Sequence, residues 1–375
     1  MAHKLREISI AGYKSIRDAR VELRDINILI GANGAGKSNL ISAFGLLHDL
    51  IEGQLSVHVV RRGGANALLH FGRKVTDRMT FKLDFEPNGY QVSLSPTAND
   101  TLYFAEEACL FRGTGYASPY VEALGAGHTE TKLGTERIAG HVRESIGSWR
   151  VFHFHDTSEA APVKQKHALD DNVFLRSDAK NLAAFLYRLR EAGKDTGDFL
   201  NDLTTHYYRA SYQQIVAAVR LVAPFFADFV LEPDRLKGNT IQLAWREQGS
   251  DEYFTAHTLS DGTLRFICLA TLLLQPNFHM PTTVLIDEPE LGLHPAAIHQ
   301  LAAMIRSASL HTQVIISTQS VTLMNQFHPE HVVVVERGAG GSVFRRISPD
   351  EIARWIDDYA LGELWEKNII GGRPQ

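Results

Sequence analysis

The sequence predicts an α/β fold, in which a mixed β-sheet flanked by helices carries an antiparallel β subdomain and an inserted helical lobe. Three observations predict it. Near the N-terminus, a short apolar strand runs into a glycine-rich loop and then into a helix. Residues 79–110 alternate apolar and polar side chains between turn signals, which is typical of an antiparallel meander. In the last third, nearly continuous apolar strands alternate with helices, which is typical of a parallel sheet buried on both faces.

Length and composition narrow the class of protein. The 375 residues suffice for two domains or for one domain with a large insertion, and 44% apolar residues exclude a disordered chain. The net charge of -5 gives no global positive field, so any DNA contact needs a local basic patch or a partner. Cys109 and Cys268 lie too far apart to indicate a zinc cage or a disulfide framework. Without a signal-like apolar core or a membrane-spanning run, we expect a cytoplasmic protein with no membrane partner.

The N-terminal elements follow from local patterns. Strand-like patterns cover Leu5–Ile10, Val21–Leu23 and Asn27–Ile30, and apolar residues at helical spacing predict a helix over Leu40–Leu50. Residues 112–135 are rich in Gly, Ala, Ser and Thr and predict a loop.

The later elements complete a core that is split in sequence. Residues 1–75 and 256–375 are expected to be the two parts of this core, and residues 76–255 the β subdomain and helical lobe. The predicted helices are Asn181–Arg190, Tyr212–Val222, Asp261–Leu274 and Ala296–Ser307, and the predicted strands are Thr283–Ile286, Val314–Ser317 and Val332–Val335.

The glycine-rich loop matches the phosphate-binding pattern G-x-x-x-x-G-K-[ST], with the required strand before it and helix after it. Glycines let backbone N–H groups surround phosphates, and the helix N-terminus adds a positive dipole. Lys37 is predicted to reach the β- and γ-phosphates of ATP, and Ser38 to ligate Mg²⁺. The predicted nucleotide-binding residues of this loop are Gly31, Asn33, Gly34, Gly36, Lys37, Ser38 and Asn39.

An apolar strand, Val284–Ile286, ends in the two carboxylates Asp287 and Glu288. Asp287 is predicted to hold Mg²⁺, as the acid at the end of such a strand does in phosphate-loop enzymes. Glu288 is predicted to orient or deprotonate the attacking water. A solvated acidic turn is the alternative, which the phosphate loop upstream disfavours.

Leu259-Ser260-Asp261-Gly262-Thr263 precedes the helix predicted from Asp261. A Ser-x-Gly turn at a helix N-terminus presents N–H groups and a hydroxyl to an anion. By itself the motif is weak, because an ordinary helix N-cap explains it equally well.

The order of the segments GANGAGKSN, LSDGT, VLIDEPELGLHP and IISTQS resembles the ABC-type ATPases of the RecF, SMC and OLD group, and nearly the whole chain is similar to stand-alone RecF-like ATPases. In that family two ATPase heads sandwich two ATP molecules. The resemblance implies an ABC-type P-loop head, ATP and Mg²⁺ as cofactors, ATP hydrolysis, and a homodimer or higher oligomer. It also implies that Ser260 and Gly262 contact the γ-phosphate across the dimer interface, where residues 291–295 lie as well.

Two further segments are candidate ligand contacts. In heads of this kind the segment around Gly12–Ile16 lies near the nucleotide, so Lys14 is a candidate phosphate contact, with a plain surface lysine as the alternative. Residues 61–64, Arg-Arg-Gly-Gly, are a candidate phosphate or DNA contact, with a solvated loop as the alternative.

One position departs from the family pattern. The switch residue after the fourth core strand is normally histidine, whereas this chain has Gln319 within Ser-Thr-Gln-Ser. A glutamine amide can hydrogen-bond a γ-phosphate or a water but cannot carry a proton charge. We therefore predict Gln319 in a catalytic position, with hydrolysis that is slow or dependent on a stimulus.

Three other segments leave alternatives open. His153 and His155, at i and i+2, could bind a metal with Asp156, or could mark the polar end of a strand. Gln165 is a candidate for the glutamine of the Q-loop. OLD-type relatives carry a C-terminal TOPRIM nuclease domain, which we do not expect in this sequence because few residues follow Thr318. The acids there are expected to form a helix cap and a solvated face around a helix near 351–359: Asp350, Glu351, Asp357 and Asp358.

Three uses of such a head remain open. The first is a DNA-engaging ATPase in DNA repair or anti-phage defence. The second is a nucleotide-gated scaffold that holds or releases an effector protein encoded nearby. The third, an ABC transporter subunit, is disfavoured by the forms of the signature and of residues 291–295.

Overall fold

The computed structural model describes residues 3–113, 118–192, 199–355 and 358–373. The chain divides into two units. The first unit comprises Met1–Val151, Pro281–Asp287 and Thr312–Gln375, and the second comprises Phe152–Met280 and Glu288–His311.

The strands and helices are numbered in chain order. The strands are β1 Glu7–Tyr13, β2 Ile16–Glu22, β3 Ile26–Ile30, β4 Met79–Asp84, β5 Asn88–Pro96, β6 Leu102–Phe111, β7 Tyr120–Gly125, β8 Arg150–Phe152, β9 His167–Ala168, β10 Phe226–Val230, β11 Thr240–Ile241, β12 Ala244–Glu247, β13 Tyr253–Thr255, β14 Thr283–Asp287, β15 Gln313–Thr318, β16 Val332–Gly338 and β17 Gly341–Arg346. The helices are α1 Lys37–Ile51, α2 Leu55–Arg61, α3 Ala65–Leu68, α4 Arg137–Gly147, α5 Leu182–Glu191, α6 Phe199–Val222, α7 Asp261–Leu274, α8 Pro295–Ala308, α9 Val321–Met324, α10 Pro349–Ile352 and α11 Leu361–Glu366.

An antiparallel sheet of the first unit runs in the order β2-β1-β4-β5-β6-β7. Its strands alternate as the sequence predicts. Ile10 pairs with Phe81, which in turn pairs with Val92, and all three side chains are buried. This face therefore packs into the core of the first unit, where Trp149 lies between Phe44 and Phe85.

The mixed sheet runs in the order β17-β16-β3-β15-β14-β8. Strands β16, β3, β15 and β14 are parallel. Every residue of β3 and of β15 is buried, as the nearly continuous apolar runs of these strands predict. Parallel strands end at the same edge, so the residues after β3, β14 and β15 meet there. The register places Asp287 opposite Ser317 and Thr318 opposite Ile30.

The second unit contains the helices α5–α8, a three-stranded sheet in the order β10-β12-β13, and the short pair β9–β11. Helix α7 is buried along most of its length. No described helix is long and apolar enough to cross a bilayer. Cys109 and Cys268 are both buried and free.

Most predicted elements are confirmed, and two are wrong. The predicted loop over 112–135 contains β7, an exposed edge strand that pairs with β6. Tyr120 and Val121 favour a strand locally, whereas the composition of the whole segment, rich in Gly, Ala, Ser and Thr, indicates a loop. Of the helix expected near 351–359, the described residues form only α10, which ends at Ile352. Glu351 belongs to the helix cap as predicted, because its side chain accepts from the N–H of the N-cap Ser348. Asp357 lies outside the described residues.

Candidate functional site

The phosphate loop connects β3 to α1 in the first unit. The Lys37 side chain is buried against the loop, and its Nζ donates to the carbonyl oxygens of Gly31 at 2.6 Å and Ala32 at 3.1 Å. Gly36 is the N-cap of α1 with φ of 119°, a conformation that favours glycine. The Lys37 ammonium therefore lies against the loop that leads into the N-terminus of α1. A helix N-terminus with an ammonium nearby is an arrangement that binds phosphate.

Hydrogen bonds with two serines outside the phosphate loop, Ser15 and Ser342, fix its conformation. Asn39 Nδ2 donates to Ser15 Oγ at 2.6 Å, and Ser342 Oγ donates to the Ala35 carbonyl oxygen at 2.5 Å. Because the Ser342 hydroxyl proton goes to Ala35, the Ser15 hydroxyl donates to Ser342 Oγ, at 2.7 Å. The loop is thus fixed by residues from the β1–β2 turn and from β17. Sequence reasoning missed Ser342, which carries no motif.

Substitution of Gly36 tests how tightly the loop is held. A Cβ on Gly36 would overlap Ser342 Oγ, whereas no described atom lies within 4 Å of a Cβ on Gly34, which also has a positive φ. We expect Gly36→Ala to lower the free energy of unfolding by about 1–3 kcal/mol more than Gly34→Ala, because overlap adds to backbone strain. Urea-induced unfolding of the two variants measures the difference. Equal losses would contradict the close approach of Ser342.

Asp287 ends β14 with its carboxylate between two hydroxyls. Ser38 Oγ donates to Asp287 Oδ2 at 3.3 Å, and Ser317 Oγ, from the neighbouring strand β15, donates to Oδ1. A carboxylate and a serine hydroxyl are hard oxygen ligands of the kind that Mg²⁺ prefers. The residues present therefore fit the metal expected from the sequence. Ser317 is part of the segment IISTQS, but that segment does not predict its contact with Asp287. The contact forms because β14 and β15 are neighbours in the sheet.

Gln319, at the position of the family's switch histidine, follows β15 directly. Its Nε2 donates to Asn33 Oδ1 in the phosphate loop at 2.6 Å. Gln319 and Asn33 are thereby brought together at the edge that carries Lys37 and Asp287.

Glu288 follows Asp287 in the chain but belongs to the second unit. Its backbone has a φ of 43°, which costs a non-glycine residue about 1–3 kcal/mol. Strain of this kind concentrates at functional positions.

Lys14 lies at the β1–β2 turn, also with a positive φ. Its Nζ donates to Ser42 Oγ of α1 at 2.9 Å and lies over the Tyr13 ring, 5.3 Å from the centroid. Burial and the nearby Arg62 hold the pKa of Lys14 below its usual value. The structure therefore brings Lys14 and the exposed Arg62 to one side of α1.

The signature residues lie in the second unit, at the start of α7. Ser260 is the N-cap of that helix, and its Oγ accepts from the Thr263 N–H at 3.2 Å. Residues 291–295 lead into α8, whose N-cap His294 accepts from the Ala296 N–H. A Cβ on Gly262 would overlap the Gly292 carbonyl oxygen. The signature turn and residues 291–295 are therefore in backbone contact.

The histidine segment gives no support for a metal. Strand β8 ends at Phe152, and the rings of His153 and His155 are 6.4 Å apart. Across the described ranges, no group of three His, Cys, Asp or Glu side chains is arranged to hold a metal ion. Gln165 follows a short 3₁₀ turn and donates to the Glu159 carbonyl oxygen.

A cavity of about 650 Å³ opens beside Asn33 and Gly34. Arg337 and Arg373 contribute positive charge to its wall. A Cβ on Gly372 would lie 3.6 Å from the Gly31 Cα, so the closing Gly-Gly-Arg segment packs on the phosphate loop.

The fold is that of an SMC head, as two solved structures show. They are the Smc head bound to the C-winged helix domain of ScpA (TM-score 0.58, 13% identity, 94% of this chain and 99% of that one) and the Smc head domain with an extended coiled coil bound to the C-terminal domain of ScpA from Pyrococcus furiosus (TM-score 0.57, 14% identity, 95% and 99%).

Sequence similarity agrees with this fold. The chain is 23% identical over 386 aligned positions to the Old nuclease of Escherichia phage P2, with 94% of this chain and 62% of that protein aligned. The chain thus spans less than two thirds of the length of that relative. These likenesses confirm the predicted α/β head and the resemblance to SMC- and OLD-like ABC-type ATPases. Residues 26–325 match the model of the family described as "AAA domain, putative AbiEii toxin, Type IV TA system", and because this range is most of the chain, the chain belongs to that family.

Proposed function

We propose that the chain hydrolyses ATP to ADP and phosphate in a Mg²⁺-dependent reaction, in a site completed by a second copy of the chain. The observation that carries the proposal is the single edge of the mixed sheet that holds Lys37, Ser38 and Asp287 together. A lysine ammonium and oxygen ligands for Mg²⁺ at the start of a helix form the machinery for binding a nucleoside triphosphate.

Each residue has a role in this proposal. The backbone N–H groups of residues 31–39 bind the phosphates together with the Lys37 ammonium. Lys14 is a further phosphate contact. Ser38 and Asp287 hold Mg²⁺, which when bound neutralises charge on the β- and γ-phosphates. Glu288 accepts the proton of the attacking water, and Gln319 orients that water or the γ-phosphate. Ser260 and Gly262 of the second copy contact the γ-phosphate.

Phosphate release from the purified chain tests the reaction. We expect turnover with ATP and Mg²⁺ that stops when EDTA removes the metal. Absence of phosphate release above a Lys37→Ala control, with Mg²⁺ and with duplex DNA added, would contradict the proposal.

In the cell, we propose that ATP binding is coupled to DNA or to an effector protein, in DNA repair or anti-phage defence. The exposed residues Arg61 and Arg62, of which Arg62 lies near Lys14, support DNA binding. Gln319 and the net charge of -5 favour the alternative, a nucleotide-gated scaffold for a neighbour-encoded effector.

Salt dependence separates these two uses. If the chain binds DNA, duplex DNA should stimulate ATP turnover. The stimulation should weaken as the salt concentration rises from about 50 to about 200 mM, because salt weakens contacts between cationic side chains and DNA phosphates. Replacing Arg61 and Arg62 by alanine would then reduce the stimulation, whereas Arg20→Ala on the exposed face of β2 would not. Stimulation by the effector alone would favour the scaffold.

Replacing Gln319 by histidine tests the departure from the family pattern. Since an imidazole can carry the proton charge that an amide cannot, we expect Gln319→His to raise kcat several-fold, with KM for ATP nearly unchanged. Steady-state kinetics of both proteins at one pH measures this. Identical kcat values would mean that Gln319 does not limit turnover.

A further inference from the structure

Arg265 is a buried charged residue in the second unit that the proposed reaction does not use. It lies on α7, just over one turn after Ser260, and is 6% exposed. Its guanidinium donates to three backbone carbonyl oxygens: from Nε to Phe154 at 2.9 Å, from Nη2 to His155 at 3.2 Å, and from Nη1 to Leu291. One side chain therefore ties α7 to two other segments of the same unit.

The segment around Leu291 is also in direct contact with the signature turn. The Gly262 Cα faces the Gly292 carbonyl oxygen so closely that a Cβ would overlap it. Gly292 has a φ of 76°, and a Cβ there would lie 3.0 Å from Arg265 Nη1. The two glycines and Arg265 thus form one close-packed contact.

The buried position of the Arg265 guanidinium on α7 is unusual for a charged group. The neighbouring buried positions of α7 are apolar, as at Leu264, Phe266 and Ile267. Burying a cation costs free energy unless its donors are satisfied, and an apolar side chain of similar volume is often equally stable. Arginine, with a planar set of donors, can fix several carbonyl groups at once, which neither an apolar residue nor lysine can do.

We infer that Arg265 is a positioning residue, which holds the signature turn and residues 291–292 as one rigid element for contact with a second copy of the chain. This inference rests on the proposed two-copy site. Exposed Ser260 and the half-exposed Leu291 lie on the two loops that Arg265 joins. Loosening them would impair the contact offered to the second copy, while the phosphate loop of the same chain would still bind ATP.

The test uses Glu288→Gln as the parent, so that ATP is retained. Arg265→Lys and Gly292→Ala are each added to it, and Arg190→Lys is the matched control, because Arg190 also donates to a second-unit carbonyl oxygen, that of Leu231. Two quantities are measured: the affinity of the single chain for a fluorescent ATP analogue, and the dissociation constant of the ATP-dependent dimer by sedimentation. We expect both test variants to weaken the dimer about tenfold and to change ATP affinity less than twofold. The control should change neither.

Three results would overturn the inference. Unchanged dimerisation of both test variants would show that Arg265 does not position the contact. A parallel loss of ATP affinity would assign Arg265 a general structural role, as would unfolding of both test variants below the assay temperature. Failure of the Glu288→Gln parent itself to dimerise would instead refute the two-copy site, which separates the two claims.

Discussion

Replacing Lys37 by alanine is expected to abolish ATP binding at micromolar nucleotide and to lower turnover by about 10²–10³-fold or more, the scale reported for removing one preorganised charge-stabilising donor. The reason is the position of its ammonium, which lies 2.6 Å from the Gly31 carbonyl oxygen of the loop. In the proposed site this charge faces the β- and γ-phosphates, and alanine has no charge to replace it. Equilibrium binding of a fluorescent ATP analogue and phosphate release measure the two effects.

Lys82→Ala is the matched control. Lys82 is an exposed lysine on β4 of the same unit, so its loss changes the net charge equally. We expect its binding and turnover to match the parent. If Lys37→Ala retained binding within threefold of the parent, the phosphate loop would not be the nucleotide site.

Replacing Glu288 by glutamine should separate hydrolysis from binding. The amide keeps the size of the side chain but cannot accept a proton from water, and general-base catalysis is worth about 10²–10⁴-fold. We expect turnover to fall by that factor while ATP affinity stays within about threefold, because in the proposed mechanism Glu288 acts on the water rather than on the phosphates. Single-turnover phosphate release and ATP-analogue titration provide the two numbers.

Glu52→Gln, at the exposed C-terminal end of α1, controls for the loss of a carboxylate. It should leave both numbers unchanged. A Glu288→Gln protein with more than a third of parental turnover would remove Glu288 from the mechanism and leave its positive φ without a catalytic explanation.

The predictable parts of the site are local in sequence. The phosphate loop, with Lys37 and Ser38, is one contiguous pattern between a strand and a helix, and Asp287 follows an apolar strand directly. Such patterns are dictated by neighbouring residues, so one sequence suffices to find them. The division at residues 75 and 255 stays a prediction.

The unpredicted parts depend on contacts between distant residues. Ser342 reaches Ala35 only because β17 folds next to β16, and Gln319 meets Asn33 only because β15 lies beside β3. No sequence pattern around Ser342 or Gln319 indicates that they contact Ala35 and Asn33. Arg265 was hidden for the same reason, since its three acceptors are backbone carbonyl oxygens, which no side-chain motif records.

The central claim is that a second copy completes the ATP site. The most direct test is the molar mass of Glu288→Gln by light scattering during size-exclusion chromatography, with and without saturating ATP and Mg²⁺. The account predicts twice the 41.7 kDa mass of the chain with ATP, and a return to the single-chain mass when Ser260→Arg is added. A single-chain mass for Glu288→Gln at saturating ATP would contradict it.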